Sequence, residues 1–151
     1  MIPTIDPKFP ELAEFSSQDS PAWMRDIRLN EQGLVMAICQ DSDTGENLMV
    51  AWMNLASLWL TVRKGEMVFW SRSRQEYWHK GGTSGNVLKV ISFALDCDGD
   101  VLQFKVKALG DQAACHTGRR SCFYREYNPT TQAWRVLSEP LFDPKSVYGK
   151  G

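Results

Sequence analysis

The sequence predicts one β-rich α+β domain, with a mostly antiparallel sheet or a barrel-like core and a few short helices. Its 151 residues are enough for one domain with a hydrophobic core and too few for two domains of ordinary size. Hydrophobic residues make up 43% and charged residues 23%, which excludes a disordered chain. Short runs rich in β-branched and aromatic residues recur, whereas a single stretch has clear helical spacing.

The first predicted elements are a β-hairpin and a helix. Residues 34–39 and 48–52 are apolar runs separated by a segment whose Asp and Gly residues favour a turn. Asn54 can then cap a helix that continues to about Lys64, and Gly65 is placed to end it.

The rest of the chain predicts further short strands, at residues 67–70, 87–95, 101–107, 122–127 and 134–137. There is no repeat of fixed period and no glycine-rich phosphate loop leading into a helix. Solenoid, Rossmann and P-loop nucleotide folds are therefore disfavoured.

Composition at the ends suggests an N-terminal arm (1–22), a central domain (23–138) and a C-terminal tail (139–151). Pro, Ser and acidic residues in the first segment suggest a loosely held arm. That segment has neither the basic start nor the apolar run of a secretory signal, and the longest uncharged stretch is too short for a bilayer-spanning helix. We expect a cytoplasmic protein that does not enter a membrane.

Charge is nearly balanced, with 17 Lys and Arg against 18 Asp and Glu and a net charge of −1. No global field attracts a nucleic-acid polymer, so none is expected as a partner. A local group of basic, hydroxyl and glycine residues suits a small phosphorylated metabolite instead, although a solvated basic face is the alternative. The candidate ligand-binding residues are Arg72, Arg74, Lys80, Thr83 and Ser84.

Three of the four cysteines lie in the second half of the chain, at Cys97, Cys115 and Cys122. Three thiolates that leave a fourth position to water would form a catalytic zinc site. Neither pair has Cys-x-x-Cys spacing, so three buried apolar thiols are an equally good interpretation. Cys39 lies inside an apolar run and is predicted to belong to the core.

Asp96, Asp98 and Asp100 alternate with other residues around Cys97. On an extended backbone the three carboxylates would project to one side and the thiol to the other. Oxygen ligands of this kind suit Mg²⁺, and the following residues lack the glycine and glutamate of an EF-hand loop. The alternative is an exposed acidic turn centred on Gly99.

His79 and His116 are the only histidines. His116 follows Cys115 directly, so beside a metal it would be a ligand, a general base or a hydrogen-bond partner of bound water. A structural role is the alternative for both, and it is the stronger interpretation for His79.

Residues from Leu34 to about Tyr127 carry a distributed set of motifs, which are Gln40-Asp41, Thr44-Gly45-Glu46, Ala51-Trp52-Met53-Asn54, Trp70-Ser71-Arg72-Ser73-Arg74, Trp78, Lys80-Gly81, Thr83-Ser84-Gly85-Asn86, Asp96-Cys97-Asp98, Asp100, Ala114-Cys115-His116-Thr117-Gly118 and Ser121-Cys122-Phe123. With these motifs, this part of the chain resembles the phosphoribosyl-AMP cyclohydrolases of histidine biosynthesis. Gly82 departs from the family pattern, which usually has glutamate there, and Gln112-Ala113 replace a usual Gly-Pro pair.

The resemblance implies an intertwined homodimer that opens the adenine ring of 1-(5-phosphoribosyl)-AMP between N1 and C6. Zinc would be bound by Cys97 of one chain with Cys115 and Cys122 of the other, and the three aspartates would bind Mg²⁺. His116 would be the general acid and base. The basic and hydroxyl residues would hold the phosphates of the substrate.

Other functions remain open at this point. One is a zinc-stabilised module that binds a nucleotide or RNA without turnover, and another is a zinc hydrolase acting on a different purine nucleotide because Gly82 alters the pocket. Some members of the family carry a fused phosphoribosyl-ATP pyrophosphatase domain. The residues beyond Tyr127 are too few to supply it, so we expect a monofunctional chain.

Overall fold

The computed structural model describes residues 6–145. Within them the chain forms eight β-strands, one α-helix and two short 3-10 helices. The strands are β1 (Val35–Asp41), β2 (Asn47–Met53), β3 (Val68–Ser71), β4 (Glu76–His79), β5 (Leu88–Leu95), β6 (Val101–Ala108), β7 (Arg125–Asn128) and β8 (Ala133–Val136); the α-helix is α1 (Leu55–Lys64), and the 3-10 helices are Pro10–Glu14 and Ala22–Asp26.

The main sheet has four strands in the order β2-β1-β6-β5. The outer pairs are antiparallel, whereas the central pair, β1 and β6, is parallel. Because β1 and β6 run in the same direction, the β5–β6 turn lies at the end of the sheet where β1 begins. The segment that leaves β6 lies at the opposite end, where β1 finishes.

The predicted sheet-rich α+β class is confirmed, but the expected barrel-like core is wrong for the described chain. β2 and β5 are the two edges of the main sheet and do not pair with each other, while β3–β4 and β7–β8 form separate two-stranded sheets. Four strands are fewer than the closed barrels that surround a side-chain core require. The sheet therefore stays open and is covered by other elements.

The core lies on one face of the main sheet. Burial alternates along β1 and along most of β6, as expected for strands with one face covered. Cys39 is fully buried among these residues, and burial raises the pKa of its thiol to about 12. The prediction that Cys39 is a core thiol is confirmed.

Helix α1 begins and ends where the sequence predicts. Asn54 accepts a hydrogen bond from the Ser57 N–H at 2.7 Å, and the Ser57 hydroxyl accepts one from the Asn54 N–H at 2.9 Å. Gly65 ends the helix with a left-handed backbone at φ 71°. No helix within residues 6–145 has the length and apolar character needed to cross a membrane.

The N-terminal segment is packed against this helix over part of its length. Phe9 and Leu12 are buried, and the Glu11 carboxylate lies 2.7 Å from the Lys64 ammonium. This part of the predicted loose arm is therefore held in place. The beginning of that arm (1–5) and the end of the predicted tail (146–151) lie outside the described residues.

Replacing Asn54 tests the helix cap. Asn54→Ala removes the acceptor for a buried backbone N–H, so we expect the free energy of unfolding to fall by about 1–2 kcal/mol. Urea denaturation followed by circular dichroism measures the change. The control is Asn47→Ala, at an exposed residue, with an expected change within about 0.5 kcal/mol. Equal losses in the two variants would contradict the capping role.

Candidate active site

Cys115 and Cys122 lie in a loop that follows β6 and folds back on itself. The Cys115 N–H donates to the Arg119 carbonyl at 3.0 Å, and the Gly118 N–H donates to the Cys115 carbonyl at 3.0 Å. The loop is tied to the main sheet by the Cys122 N–H, which donates to the Leu48 carbonyl of β2 at 2.8 Å. These bonds bring the two cysteines together although six residues separate them in the chain.

The two thiols form an adjacent pair. Burial is the main reason that the pKa of the Cys122 thiol is raised to about 12. The charge of the neighbouring Cys115 thiol, and its hydrogen bond with Cys122, also contribute to that rise. The Thr117 hydroxyl donates to the Cys115 sulfur at 3.1 Å. Cys115 is buried, whereas Cys122 is exposed as a whole residue. The pair therefore lies near the protein surface.

Cys97 lies apart from this pair. It belongs to the β5–β6 turn, at the end of the sheet where β1 begins, whereas Cys122 is bonded to β2 near the end where β1 finishes. The intervening strand β6 has eight residues, which span about 23 Å when extended. Among the described residues, the sulfurs of Cys97, Cys115 and Cys122 do not form a group of potential metal ligands.

The thiol pair fits part of a zinc site. Two adjacent thiols resist ionising together in the absence of a cation, and zinc favours thiolate ligands. One described chain brings together two of the three predicted cysteines at this position. The three-cysteine site that the resemblance implies would therefore need a third thiol from elsewhere.

The three aspartates converge at the β5–β6 turn, with carboxylate oxygens that all lie within 4.8 Å of one another. The pKa of Asp98 is raised, because its carboxyl group hydrogen-bonds with Asp100 and Asp96 and lies beside their charges. An open depression of about 480 Å³ adjoins the turn and is lined by Arg28. Hard oxygen atoms in this arrangement suit a divalent cation.

The geometry that brings these aspartates together differs from the expected extended backbone. Residues 97–100 form a turn, with Gly99 at φ 81°, and the Asp96 carboxylate accepts the Asp100 N–H at 3.0 Å. The side chains meet because the chain reverses, not because they alternate along a strand. The alternative interpretation of an acidic turn centred on Gly99 therefore describes the backbone correctly.

Arg72 and Arg74 are exposed in the turn between β3 and β4. The Arg72 guanidinium lies over the Trp52 ring, 5.1 Å from its centroid, and Arg74 lies 3.9 Å from the Glu76 carboxylate. The stacking leaves the edge of the Arg72 guanidinium available to an anion.

The other three candidate ligand residues lie beyond the opposite end of β4. Thr83 is exposed, and Ser84 is partly buried and accepts the Asn86 N–H at 3.1 Å. Strand β4 has four residues, about 10 Å when extended, so the structure divides the predicted basic cluster in two.

Lys80 is buried, whereas Arg72 and Arg74 are exposed. Its side chain is 3% exposed, and its ammonium donates to the Asn86 carbonyl at 3.4 Å. Burial lowers the pKa of Lys80, and the neighbouring Cys122, Cys115 and Cys39 oppose that change. The positive charge of Lys80 therefore faces the thiol pair.

The two histidines have different surroundings. His79 Nε2 lies 2.8 Å from the Glu66 carboxylate, so its ring links β4 to the segment that precedes β3, as a structural histidine would. His116 is exposed beside Cys115, and its ring makes no hydrogen bond with the rest of residues 6–145. Its imidazole is therefore free to contact a ligand.

One interaction beside the thiol loop was not predicted. Arg120 donates to the Asp41 carboxylate at 2.7 Å and to the Glu46 carboxylate at 2.8 Å. Burial favours a higher pKa for Asp41, but hydrogen bonds from Thr44 and the backbone and the Arg120 charge lower it overall. The partners are 79 and 74 residues apart, so no local pattern indicates the contact.

The fold and these groups define a class of protein. It is a small α+β protein with a thiol pair, an acidic cluster and two separate groups of basic and hydroxyl side chains. These groups suit metal-assisted chemistry on a phosphate-bearing ligand.

Comparison with known proteins identifies the family within this class. The sequence model of the family "Phosphoribosyl-AMP cyclohydrolase" matches residues 49–124. The phosphoribosyl-AMP cyclohydrolase of Thioalkalivibrio sulfidiphilus is 48% identical over 130 residues, covering 86% of this chain and 97% of the relative. The Azotobacter vinelandii protein of the same name is 50% identical over 129 residues, covering 85% and 95%. The chain belongs to the phosphoribosyl-AMP cyclohydrolase family, and the resemblance read from its motifs is confirmed.

Gly118 tests how tightly the thiol loop is packed. It has φ 85°, and an added Cβ would lie 2.4 Å from the Phe142 carbonyl oxygen. Gly33 has φ 76° with open space around it and is the matched control. Left-handed strain should cost Gly33→Ala about 1–2 kcal/mol, and overpacking should cost Gly118→Ala about 1–3 kcal/mol more. Chemical denaturation compares the two, and equal losses would contradict close packing against residues 138–142.

Proposed function

We propose that this chain is a monofunctional, cytoplasmic phosphoribosyl-AMP cyclohydrolase of histidine biosynthesis. The supporting observation is its near-50% identity to curated cyclohydrolases over most of the chain. The substrate is 1-(5-phosphoribosyl)-AMP, and the product is the formimino-aminoimidazole carboxamide ribonucleotide. Water attacks C6 and the C6–N1 bond breaks: the oxygen becomes the carboxamide oxygen on C6, one proton goes to N1, and the other goes to the exocyclic nitrogen of the neutral 6-imino form. The exocyclic amino group stays on C6, so no ammonia is released.

Zinc is proposed to bind between two copies of the chain. Cys115 and Cys122 form the pair contributed by one copy, and the partner subunit's Cys97 completes the three-cysteine set. When bound, zinc supplies a Lewis acid that lowers the pKa of a water molecule towards neutrality. The separation of Cys97 from the pair within one chain supports a shared site. A reducing cytoplasm keeps such thiols available as ligands.

His116 is the proposed general acid and base. Its exposed ring follows Cys115 in the loop, so it lies beside the proposed metal position. A neutral imidazole can take a proton from the attacking water and deliver it to ring nitrogen N1. The lack of a fixed hydrogen bond to residues 6–145 leaves both ring nitrogens available for this transfer.

The divided basic cluster suits the two phosphate groups of the substrate. Arg72 and Arg74 are proposed to bind one phosphate at the β3–β4 turn, since guanidinium groups can pair bidentately with phosphate oxygens. Thr83 and Ser84 are proposed to bind the other through hydroxyl and backbone donors. Lys80 contributes its positive charge from the buried side of the same loop.

Magnesium is proposed to bind at the β5–β6 turn through Asp96, Asp98 and Asp100. The cation would neutralise their converging carboxylates, in place of the hydrogen bonds with Asp100 and Asp96, and the repulsion from those groups, that raise the pKa of Asp98. Cys97 lies in the same turn. In this arrangement, the magnesium site of each chain lies in the same turn as Cys97, the cysteine that the chain contributes to a zinc site on its partner.

The partner in this proposal is a second copy of the chain. Within residues 6–145, strands β7 and β8 pair with each other and with no other strand, and their hairpin carries exposed apolar side chains, of which Trp134 is 67% exposed. An isolated two-stranded hairpin is marginally stable in water, so an apolar surface of this kind favours a covering partner. The exposed apolar residues of the hairpin and its flanks are Phe123, Tyr127, Trp134, Val136, Leu137 and Leu141.

Turnover and zinc content test the proposed reaction together. Purified protein is incubated with phosphoribosyl-AMP, and ring opening is followed by ultraviolet absorbance with and without zinc and magnesium. Cys115→Ser is expected to lose stoichiometric zinc and activity together, because it removes a thiolate ligand. The control, Cys39→Ala, is expected to retain both. A fully active, zinc-free Cys115→Ser variant would contradict the metal role. An absence of turnover in every metal condition would favour a binding module.

Subunit complementation tests whether zinc is shared. Cys97→Ser and Cys115→Ser are each expected to be inactive as homodimers. A mixed dimer retains one intact site, formed by Cys97 of the second variant with Cys115 and Cys122 of the first. Mixing followed by subunit exchange should therefore restore up to half of the wild-type activity per mixed dimer. No recovery in demonstrated mixed dimers would place all three cysteines in one chain and contradict the shared site.

A further inference from the structure

The thiol loop, residues 113–122, contains no helix or strand, so its shape depends on individual bonds. Two bonds attach its end to β2. The Ser121 hydroxyl donates to the Asn47 carbonyl at 2.6 Å, and the Cys122 N–H donates to the Leu48 carbonyl at 2.8 Å. These bonds hold Cys122 but leave the Cys115 side of the loop to be held by other contacts.

Arg120 forms a clamp between the loop and the β1–β2 turn. Its Nη2 donates to Asp41 Oδ2 at 2.7 Å, and its Nε donates to Glu46 Oε1 at 2.8 Å. Asp41 ends β1 and is 7% exposed, whereas Glu46 directly precedes β2. One guanidinium therefore contacts both ends of the turn, and its planar donors suit two carboxylate partners.

The backbone of Arg120 is connected to both cysteines. Its carbonyl accepts the Ala114 N–H at 3.0 Å, in the residue before Cys115. Ser121 and Cys122 follow it directly in the chain. When the Arg120 side chain is held against the β1–β2 turn, the segment with Cys115 and the segment with Cys122 are therefore held relative to each other and to the sheet.

We propose that Arg120 is a positioning residue that sets the relative placement of the Cys115 and Cys122 thiols. This inference rests on the proposed function, because it makes the two thiols ligands whose spacing matters. Metal sites depend on supporting contacts that hold their ligands. Loss of such contacts commonly weakens metal binding about 10–100-fold.

A purely structural role for Arg120 is the alternative. Exposed ion pairs contribute little to stability, but this one includes a buried carboxylate that would lose its charged partner. A general loss of stability would expose every buried thiol of the chain. A positioning role predicts instead that only the thiol loop becomes more accessible. Cys39, buried in β1, distinguishes the two because it reports on the core.

The test measures thiol labelling in metal-free protein at fixed pH, with each cysteine followed separately by mass spectrometry. Arg120→Gln keeps a polar side chain but removes the clamp. We expect faster labelling of Cys115 and unchanged protection of Cys39. Arg120→Lys keeps the charge and should restore part of the protection. The control is Arg63→Gln, which breaks an exposed ion pair with Glu14 and should label like the wild type.

Zinc titration of the same variants gives a second measurement. Arg120→Gln should bind zinc about 10–100-fold more weakly than the wild type, and Arg63→Gln should bind equally well. Unchanged Cys115 labelling with wild-type zinc affinity would overturn the proposal. So would equal acceleration at Cys115 and Cys39, since that is general destabilisation. If the wild type binds no zinc, the metal proposal fails, while the labelling comparison still decides whether Arg120 holds the thiol loop.

Discussion

The parallel pairing of β1 with β6 determines where every candidate group lies. It is the one parallel pair in the main sheet and stands at its centre. Parallel strands cannot be joined by a short turn, so the chain between them must travel the length of the sheet. The chain between β1 and β6 contains β2, α1, β3, β4 and β5. It returns into β6 at the end where β1 begins, and this places the acidic turn at one end and the thiol loop at the other.

This placement has a chemical consequence. Cys97 lies at the opposite end of the main sheet from Cys115 and Cys122, with strand β6 between them. The three-cysteine site proposed above would therefore take its third thiol from a second chain. The apolar surface of the β7–β8 hairpin favours the same arrangement, because the hairpin leaves the main sheet and offers large exposed side chains such as Trp134.

The candidate site is built from segments outside the strands, held by specific bonds to them. The thiol loop depends on β2 and on the β1–β2 turn, and the segment with Thr83 and Ser84 depends on a close chain approach. Gly81 has φ 83°, and an added Cβ there would lie 2.3 Å from the Val87 nitrogen. Such segments carry polar groups that a strand interior would bury, while the sheet supplies the rigidity that positions them.

Local elements were predicted well because their signals are local. The hairpin of β1 and β2, the capped helix and strands β5 and β6 each lie within two or three residues of the predicted bounds. Strand β4 was not predicted, because its four residues lie between Arg74 and Lys80, in a part of the chain that was interpreted only through its candidate ligand-binding residues. The barrel-like alternative was wrong because hydrophobic alternation shows that one face of a strand is covered but not which strand lies beside it.

The sequence by itself determined the chemical inventory and the family. Three cysteines, three aspartates, a histidine and the basic residues are all present in motifs whose spacing is visible without a structure. Only the tertiary structure decided which of them meet: Cys115 with Cys122 but not with Cys97, the aspartates across a turn, the basic residues at two ends of β4, and Arg120 with Asp41. The Arg120–Asp41 contact and the separation of Cys97 from the thiol pair depend on residues far apart in the chain, since strand pairing and burial, rather than local preference, set those distances.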